Sequence, residues 1–121
     1  MKAPVRQSRR GDALRIADIQ ESVRLLALIR AGGRERLLTE PIVKDATIRR
    51  LEVIGEAAGH VSEAVRSRHP EIPWRKMRGF ASFAKHEYWR IDIDELWDAL
   101  ESLPTLEKAL NRIRVRDVPP P

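Results

Sequence analysis

An all-α bundle of four or five helices is the fold this chain predicts. Apolar residues recur at spacings of three and four along most of its 121 residues, prolines and a glycine pair punctuate the pattern where helices would end, and no segment alternates with period two long enough to form a strand.

Ile16, Ile19, Val23, Leu26 and Ile29 fall on one face of residues 12–30, with Asp18, Glu21 and Arg24 on the other, which predicts a first amphipathic helix. Gly32-Gly33 ends it. A second helix opens near Pro41 and carries Ile48, Leu51, Ile54, Ala58, Val61 and Val65, making it the longest expected element. Arg49, Glu52, Glu56, His60 and Glu63 form its charged face. Gly55 and Gly59 leave a shallow groove on it where another helix could approach closely. Pro70 and Pro73 bracket a break, and Pro73 suits the first position of a third helix through Trp74, Met77, Phe80 and Ala84. Asp92 as N-cap, Glu95 three residues on, and Ile91 with Leu96 as a hydrophobic staple mark the fourth start. That helix runs through Trp97 and Leu100, Pro104 kinks or restarts it, and Leu106, Leu110 and Ile113 continue the stripe. The expected layout is therefore a basic flexible stretch at 1–11, a helical domain at 12–114 and a proline-rich tail at 115–121.

Length and composition narrow the function. A chain of this size holds one core, and 42% hydrophobic with 34% charged residues describes a globular protein. No apolar run approaches the ~20 residues of a membrane span. With no cysteine there is no disulfide, thiolate zinc site or cysteine nucleophile, which fits a reducing cytoplasm. The basic first residues lack the apolar stretch of a signal peptide, so the protein is expected in the cytoplasm.

The net charge of +5 is concentrated at the ends, where Lys2, Arg6, Arg9 and Arg10 open the chain and Arg112, Arg114 and Arg116 close it against Asp117. Inside, Arg66, Arg68, Arg75, Lys76, Arg78, Lys85 and Arg90 face only Glu71 and Glu87, whereas 91–107 is wholly acidic in its charges. The basic strip is suited to RNA phosphates, with Arg75, Lys76, Lys85 and Arg90 as candidates; alternatively it pairs with the acidic stretch inside the fold or across a dimer.

No phosphate-cradling glycine loop, zincin motif or EF-hand is present, so neither a metal nor a cofactor is expected. Of three histidines, His60 on the charged face and His69 before Pro70 suit structural roles. His86 ends the third helix two residues before Tyr88, beside the basic strip. An imidazole titrating near neutrality can take the proton of a ribose 2′-hydroxyl as it attacks the adjacent phosphate, or return one to the leaving 5′-oxygen. Charge accumulating on the phosphorane then requires a fixed cation or donor. On its own, a histidine at a helix end is more often a cap. Trp89 could stack on a base or pack a helix corner, and packing is the expectation.

The runs Lys44-Asp45-Ala46-Thr47-Ile48-Arg49-Arg50-Leu51-Glu52-Val53-Ile54-Gly55-Glu56-Ala57-Ala58, Arg68-His69-Pro70-Glu71-Ile72-Pro73-Trp74, His86-Glu87-Tyr88 and Ile91-Asp92 resemble the HepT-like family. These are the HEPN-fold toxins of HepT–MntA toxin–antitoxin systems, and the resemblance spans about residues 12–114. It implies a HEPN-like helical bundle that dimerises so that two motifs face one cleft, and a metal-independent ribonuclease whose motif is arginine, four to six residues, histidine, any residue, tyrosine. It also implies a small nucleotidyltransferase antitoxin that transfers AMP from ATP to the motif tyrosine. His86 matches the catalytic histidine and Tyr88 the AMP acceptor. The family's arginine and asparagine positions hold Ala81 and Ser82. Arg78 precedes His86 by eight positions, about 12 Å and ~80° away on an α-helix. A weakened or inactive ribonuclease is therefore expected unless Arg75, Arg78 or Lys85 supplies the cation, with Ser82 as a minor donor.

Three functions follow from these residues. The first is an endoribonuclease toxin acting on RNA, tRNA among the candidates, with His86 as acid–base, Arg78 or Lys85 as an imperfect cation and Ser82 as a minor donor. The second is a non-catalytic homodimeric module that docks the nucleotidyltransferase and is modified on Tyr88. The third, promoter DNA binding, has no recognition-helix pattern behind it.

Overall fold

The computed structural model describes residues 3–114 and Val118, with the side chains of 3–10 outside the description. The expected tail at 115–121 thus falls outside it except for Val118, and so do Met1 and Lys2. The described residues form helices and turns only, so the expected all-α bundle is the fold found.

α1 (Ala3–Ala31) and α3 (Pro41–His60) are the two long rods of the bundle. They lie antiparallel and face to face. Ile16, Ile19, Val23 and Leu26 are buried on α1, and Leu51, Ile54, Ala57 and Ala58 on α3, which is the periodicity read from the sequence turned into a core. Gly33 adopts φ +94° after α1, a conformation that glycine reaches without Cβ strain. The short α2 (Glu35–Thr39), unforeseen in the sequence, fills the connection and buries Leu37.

Two expectations about α3 need correction. It ends at His60 rather than continuing through Val65, and α1 is the longer helix. The reason lies in Ser62, whose side chain accepts from the Val65 amide and caps a separate α4 (Glu63–Arg68). Buried Asp12 holds the same point, accepting from the Ser62 amide at 2.9 Å and the Ser62 hydroxyl at 2.6 Å. Val61 and Val65 still reach the core, from opposite sides of the break.

α5 (Trp74–Gly79) follows Pro73, and the Trp74 indole donates to the His69 carbonyl at 3.0 Å. The chain then tightens into a 3-10 segment, Phe80–Lys85, rather than continuing as the expected α-helix. Phe80 and Phe83 turn to the core three positions apart, the repeat of a 3-10 helix, while Ala84, the expected core residue, is exposed. A second 3-10 turn covers Tyr88–Arg90. Asp92 accepts from the Asp94 amide at 2.8 Å as the cap of α6 (Ile93–Glu101), with Ile91 and Leu96 buried as the staple requires. Ser102 and Pro104 restart the chain as α7 (Leu103–Leu110).

A candidate active site at the corner between two 3-10 turns

Gly55 sets the position of the site. A Cβ there would stand 2.5 Å from the Ala81 amide nitrogen and 2.7 Å from its Cβ, so the absence of a side chain lets the 3-10 segment lie directly on α3. The groove expected at Gly55 and Gly59 is thus occupied at Gly55 by the chain's own backbone, while at Gly59 only the Arg78 side chain comes near. From that seat the two segments run antiparallel. Gly55 back to Lys44 is about 16 Å of α-helix; Ala81 to Lys85 is about 8 Å at 3-10 rise, and extended His86 and Glu87 carry the chain on about 10 Å to Tyr88, so Lys44 and Tyr88 arrive at a similar level.

They do meet. The Lys44 ammonium lies 4.0 Å from the centre of the Tyr88 ring and donates to the Tyr88 carbonyl at 3.3 Å. Burial of its ring, followed by the neighbouring Asp45 carboxylate as hydrogen-bond partner and charge, raises the Tyr88 phenol above its ordinary value. The phenol therefore carries its proton at neutral pH. Tyr88 keeps 42% of its surface exposed and His86 is exposed where it caps the 3-10 segment, its amide donating to the Phe83 carbonyl at 3.4 Å. Both rings stand on an open corner.

The other candidate residues are distributed unevenly. Ser82 and Lys85, three apart on a 3-10 helix, share an exposed side just before His86. Arg78 sits elsewhere, its Nε 3.9 Å from where a Gly59 Cβ would be, fifteen residues or about 22 Å along α3 from Lys44. The structure does not bring it to Tyr88. Arg75 and Lys76 are exposed on α5, and Arg90 stands 3.8 Å from Glu87. Trp89, expected to pack, is instead 76% exposed, because the second 3-10 turn directs none of its three residues to the core.

In the sequence, Lys44 and Asp45 stand only within the family-like run and have no role of their own. The signal that could have found them is the register fixed by Gly55, which needed the 3-10 rise to be legible. The acidic stretch does not neutralise the basic strip. Asp94 pairs with Arg34, and Glu101 with Arg30 at 2.9 Å. Among the described residues no ion pair joins 66–90 to 91–107, no group of His, Asp and Glu could hold a metal, and no helix is long and apolar enough to cross a membrane.

The fold and the corner define the class, an all-α HEPN-like bundle presenting an imidazole and a phenol two residues apart. The profile described as "Ribonuclease HepT-like" matches residues 19–113. The chain is 33% identical over 101 residues to a protein of Thermococcus cleftensis described as "Probable ribonuclease HepT", covering 82% of this chain and 92% of that one. It is 29% identical over 96 residues to a "Putative RNase" of Caldanaerobacter subterraneus subsp. tengcongensis, covering 78% of this chain and 86% of the other. A "Putative RNase" of Methanocaldococcus jannaschii shares 33% over 72 residues, covering 59% and 66%. No solved structure gives a significant match. The chain belongs to the ribonuclease HepT-like family.

Proposed function

We propose that this chain is a metal-independent endoribonuclease and the toxin of a toxin–antitoxin pair, acting as a homodimer. The observation that supports this reading is the exposed corner where Tyr88, two residues after exposed His86, stands beside Lys44. The His86 imidazole takes the proton of a ribose 2′-hydroxyl while the 2′-oxygen attacks phosphorus, and a proton returns to the leaving 5′-oxygen. Lys44, with Lys85 and Ser82 nearby in the chain, offsets the charge that the motif arginine would meet. A lysine is a point charge without the bidentate fork, so catalysis is slower than with arginine.

Tyr88 is the residue a nucleotidyltransferase antitoxin would modify. Its oxygen attacks the α-phosphorus of ATP, pyrophosphate leaves, and the phenolic proton passes to Asp45. Purified protein is expected to cleave RNA in the presence of a chelator, and His86→Ala to abolish cleavage; cleavage surviving that change removes His86 from the reaction. Restoring Ala81→Arg with Ser82→Asn should raise the rate, since one charge-stabilising donor is worth ~10²–10³.

The second reading, a non-catalytic module docking the nucleotidyltransferase, is favoured by Ala81, half-buried against Gly55 in the place of the motif arginine. It predicts AMP on Tyr88 after incubation with the nucleotidyltransferase and ATP, and no RNA cleavage even at high enzyme concentration.

A further inference from the structure

At the end of α3 away from Tyr88, the end of α4, the turn after it and the segment following α7 close around a recess of about 40 Å³. Arg68, His69, Arg112 and Arg114 line it together with apolar Val65, Ile113 and Val118. Arg68 and Arg112 lie 44 positions apart, so tertiary structure rather than a basic run gathers these charges. No carboxylate lines the recess among the described residues; Glu71 lies 3.6 Å from His69 Nδ1.

The walls are anchored from inside. The Gln20 amide donates to the Leu110 and Ile113 carbonyls at 3.1 and 3.3 Å, and the Trp74 indole holds the His69 carbonyl. Val65 and Ile113 are buried. The backbone around Arg68, His69 and Arg112 is thus held before any ligand arrives. Three guanidiniums around one concavity repel each other, and the repulsion is relieved by an anion seated among them. One water needs roughly 10–15 Å³ of such space, so the recess suits a single tetrahedral oxyanion and is too small for a base or nucleoside. Guanidiniums pair with phosphate oxygens through two parallel hydrogen bonds.

We infer that this recess is a phosphate site, and that it holds a backbone phosphate of RNA distant from the scissile bond. The second part rests on the ribonuclease reading above. From Lys44 to His60, α3 rises about 24 Å, so a strand engaging both ends of the bundle is gripped several nucleotides from the corner where it is cut.

The test compares wild-type protein with Arg112→Gln/Arg114→Gln, both exposed positions, using inorganic phosphate and a 2′-O-methyl RNA oligonucleotide that cannot be cleaved. Inorganic phosphate should shift the His69 imidazole resonances in the wild type and not in the variant. The variant should bind the oligonucleotide about tenfold more weakly, with the slope of log K against log salt reduced by about one. A shift of His69 by phosphate with unchanged RNA affinity overturns the RNA assignment in favour of a free phosphate ligand. No shift and no change in affinity overturns the site altogether. Arginine-dependent RNA binding by a protein that never cleaves RNA would sink the ribonuclease reading and leave the recess standing.

Discussion

Tyr88 is the only tyrosine in the chain, so its ionisation can be followed directly by phenolate absorbance. Burial and the Asp45 carboxylate both oppose the phenolate, which places the midpoint above the ordinary 10.0. Asp45→Asn is expected to lower it, and a midpoint that does not move would separate Asp45 from the hydroxyl. The folded phenol holds its proton more tightly than the unfolded one. Its contribution to stability is therefore complete below the unfolded value and is lost as pH rises through the folded one. Lys44 provides a second test at this scale. Lys44→Met should reduce RNA cleavage at least tenfold, whereas Arg78→Met, altered near Gly59, should leave the turnover rate within about twofold. The reverse order would return the cation's role to Arg78. The expected magnitude follows from the loss of one charged donor near a developing phosphorane.

At the scale of elements, the contact between α3 and the 3-10 segment decides whether the corner exists. Gly55→Ala places a methyl 2.5 Å from the Ala81 amide nitrogen, a backbone atom with nowhere to retreat without moving the segment. Overpacking of this kind costs about 1–3 kcal/mol. Urea denaturation should show that loss, and RNA cleavage should fall further than stability, because the displaced segment carries His86. Ala at Gly59, where only the Arg78 side chain lies 3.9 Å away, is the matched control and should be tolerated.

The legibility of the sequence differed along these same elements. The buried stripes of α1 and α3 and the Asp92 cap were readable because local periodicity and capping chemistry decide them. The end of α3 was not, since a three-and-four apolar spacing persists across Ser62 while a buried carboxylate fifty residues earlier fixes the break. The 3-10 segment was missed for a related reason. Phe80 and Phe83 fit either helix type in sequence, and the close seat on Gly55 selects the tighter one. His86 and Tyr88 were legible as chemistry, but Lys44 and Asp45 required the register between two segments.

For the whole molecule, the acidic and basic stretches are kept apart by pairing with other partners. Asp94 and Glu101 hold Arg34 and Arg30 at the end of α1, and such exposed pairs contribute at most about 1 kcal/mol each. Their larger effect is to leave Arg75, Lys76 and Lys85 available on the surface. The two most exposed large apolar side chains lie in the chain near the same corner. Ile42, two residues before Lys44, is 82% exposed, and Trp89 follows Tyr88. If the proposed homodimer buries this face, Ile42→Asp should convert it to monomer in sedimentation and abolish cleavage while leaving helix content unchanged; a dimer that persists would place the interface elsewhere.

One consequence of the Gly55 seat concerns how this chain can vary in length. α3 acts as a phase-keeping rod whose two fixed marks are Gly55 and Lys44, eleven positions and about three turns apart. Inserting a single residue between them would rotate the lysine by about 100° and advance it by about 1.5 Å, swinging the ammonium off the aromatic ring while the bundle itself still folded. Insertions in the turn between α4 and α5 carry no such penalty for the corner. Length changes between Lys44 and Gly55 should thus silence the protein, and those in the turn between α4 and α5 should spare it.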